Sequence, residues 1–327
     1  MFIRFFKSNN ASALIFLPLF AIAIWSFGFI SPAIVPVKHT MPLYELLAGA
    51  FSNIRWLGTF VALSLVVGEA FLLNYIVNEN EVLNKQSYLP ALFYILFMSN
   101  NNDMLLLSPP LFANLFILFA INKLLSSYRK DNAFSQAFDA GLLISVATLF
   151  YFPYIVFLPL LGISLIILRP FNWREWVISF LGAIIPYLFV VTVYFWKDML
   201  DYLFFDKMFY PVTRHKITMD FPKSFYFMIG SGWLILLFSI GKLLQGVGIG
   251  TQKTKKSIIL LVWFFFCSAL SILIAPEIST KYFSPLAIPA AVFCGNYFVN
   301  IKKQWWAEFL FLLLLISVFI NLIAYFF

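Results

Sequence analysis

An all-α, polytopic bundle of transmembrane helices is the fold class this sequence predicts, and three observations carry it. Hydrophobic residues make up 62% of the 327-residue chain and charged residues only 11%, against about 45–50% and about 25% in an ordinary soluble domain. Mean hydropathy is +0.92, and 42 residues are Phe. The apolar residues also fall into runs near the ~20-residue length a helix needs to cross a bilayer. So little polar surface cannot coat a water-soluble particle, which excludes a soluble enzyme, a disordered scaffold and a nucleic-acid binder.

On that ruler the chain divides into about 11 spans: Ser12–Ser31, Trp56–Val77, Tyr88–Met98, Leu111–Leu125, Ala137–Leu149, Pro153–Leu168, Val177–Phe195, Ser224–Leu244, Ile258–Ile274, Pro285–Val299 and Ala307–Phe326. Three are short. The third is cut off by the polar run Ser99–Asp103, and only Tyr151–Tyr154 separates the fifth from the sixth, which suggests a broken hairpin. Irregular backbone at membrane depth needs cover from protein or a water-filled cavity. Arg4 and Lys7 precede a first apolar run long enough to span, with no small-residue cleavage site after it, so a retained first helix is expected.

Orientation follows from charge. With the N-terminus inside, 14 of the 22 Lys and Arg fall in cytoplasmic segments, as the positive-inside rule requires, and the C-terminus emerges on the periplasmic side. The outer face then collects Glu45, Asp103, Asp198, Asp201, Asp206, Asp220 and Glu277, together with both histidines. Two outer loops are long. Pro32–Arg55 contains Leu43, Leu46, Leu47 and Phe51 near helical spacing, the pattern of a short interfacial helix. Lys197–Lys223 is rich in aromatics and charge, and its first half also reads as an amphipathic helix lying on the membrane.

Cys267 and Cys294 lie inside apolar runs and read as small core residues. Two histidines, His39 and His215, are too few for a multi-histidine metal centre. The glycine-rich stretch Gly241–Gly250 lacks the preceding strand and GK[ST] ending of a phosphate loop, and reads as a helix end before the basic run Lys253–Lys256.

Several residues are candidates for chemistry. Glu69 sits inside the second span, where a carboxylate costs about 2.5–3.5 kcal/mol on insertion scales. It is either a proton-relay or ion site, or one end of an interhelical hydrogen bond with Asn74 or another buried polar group. Glu45 is the acid of the first outer loop, preceded by His39, and a carboxylate there could serve as a general base. Arg214, His215 and Lys216 form a compact cationic cluster at the depth of lipid phosphates, suited to a specific phosphate site or a plain headgroup anchor. Asn100–Asp103, followed by Ser108-Pro-Pro110, is a capped turn or the mouth of a cavity. Arg169–Trp176 reads as a tight inner turn, and Asp139 and Glu308 as solvated helix ends.

The layout resembles the polyprenyl-phosphate-sugar-dependent glycosyltransferases of the GT-C superfamily. The resemblance rests on Tyr44-Glu45 in the first outer loop, the span start Ser108–Phe116, the small-residue stretch Asp139–Ala147, and a seventh span leading into Lys197–Lys223. It covers residues 1–225, leaving residues 226–327 as C-terminal transmembrane helices. It implies that Glu45 is the base activating an acceptor, that Arg214 and Lys216 hold a donor phosphate, and that Asp103 assists at the cavity mouth. Those transferases usually carry a catalytic Asp in the first outer loop, whereas this loop has only Glu45. The whole chain also resembles an uncharacterised integral-membrane family of the Bacteroidota.

The expected function is handling of a polyprenyl-phosphate-linked sugar at the periplasmic face of the inner membrane. One alternative is a non-catalytic subunit of a cell-envelope complex, docking through the aromatic outer loop; a third is a proton-coupled transporter built on Glu69. The expected partners are membrane lipids, polyprenyl phosphate or its sugar adduct among them, and envelope proteins; no cofactor is indicated.

Overall fold

The computed structural model describes residues 2–7, 11–30, 32, 40–51, 54–209, 223–246, 251–275 and 279–324. Described elements are all helical. They comprise α1 (Phe2–Lys7), α2 (Ala11–Ile30), α3 (Pro42–Phe51), α4 (Arg55–Glu79), α5 (Leu89–Met98), α6 (Pro109–Ser126), α7 (Phe134–Phe150), α8 (Leu158–Leu168), α9 (Trp173–Trp196), α10 (Lys223–Gly246), α11 (Gln252–Ile274), α12 (Ser284–Asn300) and α13 (Gln304–Ile323). Short 3₁₀ turns at Asn102–Met104, Phe152–Phe157 and Thr280–Phe283, and a π-helical turn at Tyr202–Phe209, connect or extend them.

Eight of these helices are long and apolar enough to cross a membrane, and three shorter apolar segments, Leu89–Met98, Phe134–Phe150 and Phe152–Leu168, accompany them. The chain is a membrane-embedded helical protein. The three shorter helices coincide with the three short segments of the sequence reading, and α5 shows why length alone misleads there. Ten residues rise only about 15 Å, yet nine of them are buried. This helix is core, enclosed by α4 and by α12, whose Gly295 faces Pro90. Phe93 of α5 packs against Phe298 of α12, the rings tilted by 49° with centres 4.7 Å apart.

The polar run after α5 is buried with it, and hydrogen bonds offset the cost. Trp25 Nε1 of α2 donates to Ser99 Oγ at 2.9 Å, and Asn321 Nδ2 of α13 donates to the Asn100 carbonyl at 2.6 Å. Helix starts follow local chemistry. Proline occupies the first turn of α5, α6, α8 and α12, where its missing N–H costs nothing. Asn172 and Thr251 side chains accept from the backbone N–H groups of Arg174 and Thr254, opening α9 and α11.

The expected broken hairpin is present: α7 ends at Phe150, the 3₁₀ turn reverses the chain, and α8 follows without a gap. Against α7 lies α9, joined by a seam of small residues. A Cβ on Gly141 would overlap the Ser179 carbonyl oxygen, and one on Gly182 would overlap that of Phe138. Close approach through small residues is a common way for membrane helices to gain packing energy where lipid is as apolar as leucine. Along the rest of α9, Leu181, Leu188, Phe189 and Phe195 stay exposed on the outside of the bundle.

The inner turn after α8 is more than a turn. Arg169 Nε lies 2.9 Å from Glu175 Oε2, with both side chains almost fully buried. The same guanidinium donates to the Ser127 carbonyl at 2.8 Å, stapling the α6–α7 connection to the start of α9. Asp139, expected as a solvated helix end, accepts an ion pair from Lys123 at 2.8 Å. Cys267 and Cys294 are buried and free, as their apolar settings imply.

Candidate functional site

The short helix expected in the loop between the first two spans is present as α3. Its Tyr44 and Ala48 point into the bundle and Leu46 points out. The Tyr44 hydroxyl donates to the Leu107 carbonyl at 3.0 Å, pinning α3 over the entry to α6. Burial first, and then the neighbouring Tyr282, push the Tyr44 phenol well above its ordinary pKa, so Tyr44 is a fixed neutral donor. Glu45, next in sequence, has its side chain 42% exposed.

The second outer loop comes to meet it. Beyond α9, Asp198 adopts the left-handed conformation at φ 54°, turning the chain into the π-helical segment. That segment buries Leu203, Lys207 and Met208. Leu203 and Met208 join Met41 and Leu149 in a small apolar cluster of their own. The packing carries Lys207 onto Glu45: Nζ to Oε2 is 2.6 Å, with the lysine side chain only 2% exposed. Tyr202 adds its ring face, 5.2 Å from Nζ to the centroid. Burial pulls the Lys207 ammonium down, but the Glu45 bond and charge, and then Tyr202, outweigh it and hold its pKa above the usual lysine value. Phe204, Phe205 and Phe209 of the same turn face outward.

Asp103 is exposed in its 3₁₀ turn and accepts from Thr280 Oγ1 at 3.2 Å. Next to Thr280, Tyr282 stacks on Tyr151 with ring centres 5.4 Å apart. His39, Arg214, His215 and Lys216 lie outside the described residues.

Deeper in the bundle, Glu69 is fully buried on α4. Its partner is the Tyr94 hydroxyl of α5, which donates to Oε2 at 2.7 Å; of the alternatives open from sequence, the second buried polar group is the one found. Tyr154 donates to Asn114 Oδ1 at 2.5 Å, a second polar pair buried in the same apolar core. Glu69 Oε1 and Asn114 Nδ2 have no protein hydrogen-bond partner, and Asn74 Oδ1, also buried, has none.

Lys207 and Tyr94 were not singled out by sequence. A signal for Lys207 existed: it falls four residues after Leu203 and directly before Met208, on the apolar stripe of its turn. For Tyr94, inside the run Leu89–Met98, no such signal exists.

Residues 30–327 match the model of the family of unknown function DUF6427. The chain belongs to that family. No curated protein matches the chain, and no solved structure does. For this DUF6427 member the functional reading therefore rests on its own geometry, above all on the meeting of Glu45 and Lys207.

Proposed function

We propose that this protein handles a polyprenyl-phosphate-linked sugar at the periplasmic face of a bacterial inner membrane, as a glycosyltransferase of GT-C type or a degenerate relative. On this reading residues 1–225 carry the transferase-like module and residues 226–327 add the C-terminal helices. The N-terminus is cytoplasmic and the C-terminus periplasmic, as the charge distribution favours. A membrane of the Bacteroidota type accords with the resemblance seen in the sequence.

The observation that supports it is the buried Lys207 ammonium held by the half-exposed Glu45 carboxylate at the junction of the two outer loops. A phosphate oxygen is a strong charge-assisted acceptor for an ammonium. A donor phosphate arriving at Lys207 competes with Glu45 and frees that carboxylate. Glu45 then accepts the proton of an acceptor hydroxyl while the acceptor oxygen bonds to the anomeric carbon. The bond from that carbon to the phosphate oxygen breaks, and polyprenyl phosphate leaves with the electron pair. By the resemblance, Arg214 and Lys216 hold the donor phosphate and Asp103 assists at the mouth, with His39 and His215 as further substrate-binding residues. The exposed Phe204, Phe205 and Phe209 lie where a prenyl chain would enter from the lipid.

The test is native mass spectrometry and a transfer assay with purified protein and a polyprenyl-phosphate sugar. Glu45→Gln should keep the bound lipid phosphate and lose transfer; Lys207→Gln should lose the lipid. Transfer unchanged in both variants rejects the reading.

A second reading, proton-coupled transport, draws on the Glu69–Tyr94 bond and the unpartnered Glu69 Oε1. Ionisable groups inside a membrane commonly mark ion or proton paths. Proton uptake by proteoliposomes that is the same in wild type and Glu69→Gln rejects it.

A further inference from the structure

Far from the outer rim, at the end of the bundle that carries the N-terminus, a cavity of about 250 Å³ opens between α1 and the α12–α13 corner. Arg4, Lys7 and Lys302 line it, with Gln304 beside them and Ile3 and Phe298 contributing apolar wall. We propose that this cavity is a binding site for a phosphate group, the headgroup of an anionic phospholipid or free phosphate, which would neutralise the cations gathered there.

Three arguments carry this. First, like charges are brought together: three cationic residues line one cavity with no carboxylate among its described lining, and Lys85 is near enough to act on Lys7. Burial, and then Lys85, lower the pKa of Lys7, the signature of an ammonium short of compensation.

Second, Lys7 is only weakly tethered among the described residues. Its hydrogen bond, to the Ile301 carbonyl, is 3.5 Å long, at the weak end for an ammonium. The fold nonetheless holds α1 in place: Tyr88 N donates to the Phe6 carbonyl at 3.0 Å, and Phe2 stacks on Phe311 of α13 with centres 5.3 Å apart. The cations are therefore presented on a fixed frame.

Third, the lining has a mixed chemistry. The cavity lies at the start of α13, where Ile3, Phe298 and Ala307 supply apolar lining beside the cations Arg4, Lys7 and Lys302. A phosphodiester with its glycerol and upper acyl carbons has the same two-sided character. Basic pockets between membrane helices on the positively charged face recognise such headgroups.

The experiment reconstitutes full-length protein in nanodiscs of phosphatidylcholine with increasing phosphatidylglycerol, and reads retained lipid by native mass spectrometry after gentle extraction. Wild type should retain phosphatidylglycerol over phosphatidylcholine, and Lys7→Gln/Lys302→Gln should weaken that retention roughly tenfold to thirtyfold. Arg4 is left intact to protect topology. Lys7→Arg, which keeps the charge, should retain binding, and size exclusion in pure phosphatidylcholine checks that each variant is folded. Lys253→Gln/Lys256→Gln removes the same charge elsewhere on this face and should change nothing.

Inorganic phosphate added at millimolar concentration distinguishes the sources. If it displaces phosphatidylglycerol and stabilises the protein alone, the site accepts free phosphate; if it does neither, the site requires the lipid. Equal retention in wild type and Lys7→Gln/Lys302→Gln overturns the proposal. So does an equal loss in Lys253→Gln/Lys256→Gln, which would make the effect a diffuse field.

Discussion

Lys207 and Glu45 stand 162 positions apart in sequence and 2.6 Å apart in space. The lysine end is buried and the carboxylate end half open, so the pair is neither a surface bridge worth little nor a fully buried one. Removing one partner is not equivalent to removing the other.

Lys207→Met should therefore cost less than Glu45→Ala. The first removes a buried charge and leaves a carboxylate that water can reach. The second leaves the ammonium buried and unpaired, a loss of about 3–5 kcal/mol for a strictly buried ion, reduced here because one side of the pair is open. Thermal unfolding of both single variants and the double variant in detergent closes the cycle, and coupling below about 0.5 kcal/mol would show that the pair is incidental.

The pH dependence of that pair has a definite sign. The folded-state pKa of Lys207 is raised, so its contribution is fully present below the ordinary lysine pKa and is lost only as pH rises through the higher folded value. The difference in melting temperature between wild type and Lys207→Met should stay flat from neutral pH up to the ordinary lysine range. It should shrink only above that range. A difference that fades already near pH 8 contradicts the pairing.

Much of the fold was legible in the sequence, because hydropathy is local and each apolar run reports its own helix. The short segments at Tyr88–Met98, Ala137–Leu149 and Pro153–Leu168 were placed correctly for the same reason. The six-residue α1 escaped, since no run that short has a period to read. Partners were far less legible. Glu69 was visible as an anomaly, but Tyr94 looks like any aromatic in an apolar run until the helices are packed. Lys207 was one outer cation among several, and only the burial of its turn separates it from the others. Glu175 read as part of a tight turn able to pair with a neighbour, but its burial on Arg169 depends on how the α6–α7 connection folds back.

Inside the bundle, Glu69→Gln should be nearly neutral for stability, because the amide oxygen still accepts from Tyr94. Tyr94→Phe should cost about 1 kcal/mol, the scale of interhelical hydrogen bonds in membranes. Equilibrium unfolding in mixed micelles measures both. A Glu69→Gln loss larger than that of Tyr94→Phe would mean that the acid has a partner besides the tyrosine.

Gly182→Ala should loosen the α7–α9 seam, since its new Cβ meets backbone, which cannot swing aside. Overpacking of that kind costs about 1–3 kcal/mol. Gly68→Ala, on α4 with open space around the added carbon, is the control and should be neutral or slightly stabilising. Melting temperatures of the two variants, measured side by side, decide it.

On the opposite face, Arg169→Lys should destabilise although charge is conserved, because one ammonium cannot span both Glu175 and the Ser127 carbonyl as the guanidinium does. Limited proteolysis in the connection between α6 and α7 should speed up in this variant. Unchanged cleavage would assign the staple no role in holding that connection.

The separation of Glu45 from Lys207 also orders events during synthesis. A ribosome delivers the chain from its N-terminus at about 5–20 residues per second, so α3 reaches the membrane surface on the order of ten seconds before its lysine is made. Throughout that interval the Glu45 carboxylate lacks the ammonium that it meets in the finished fold. The outer rim is thus a late product of assembly, closed by the arrival of Lys207 after α4 to α9 are already in place. A chain halted before that residue would carry those helices with the rim still open.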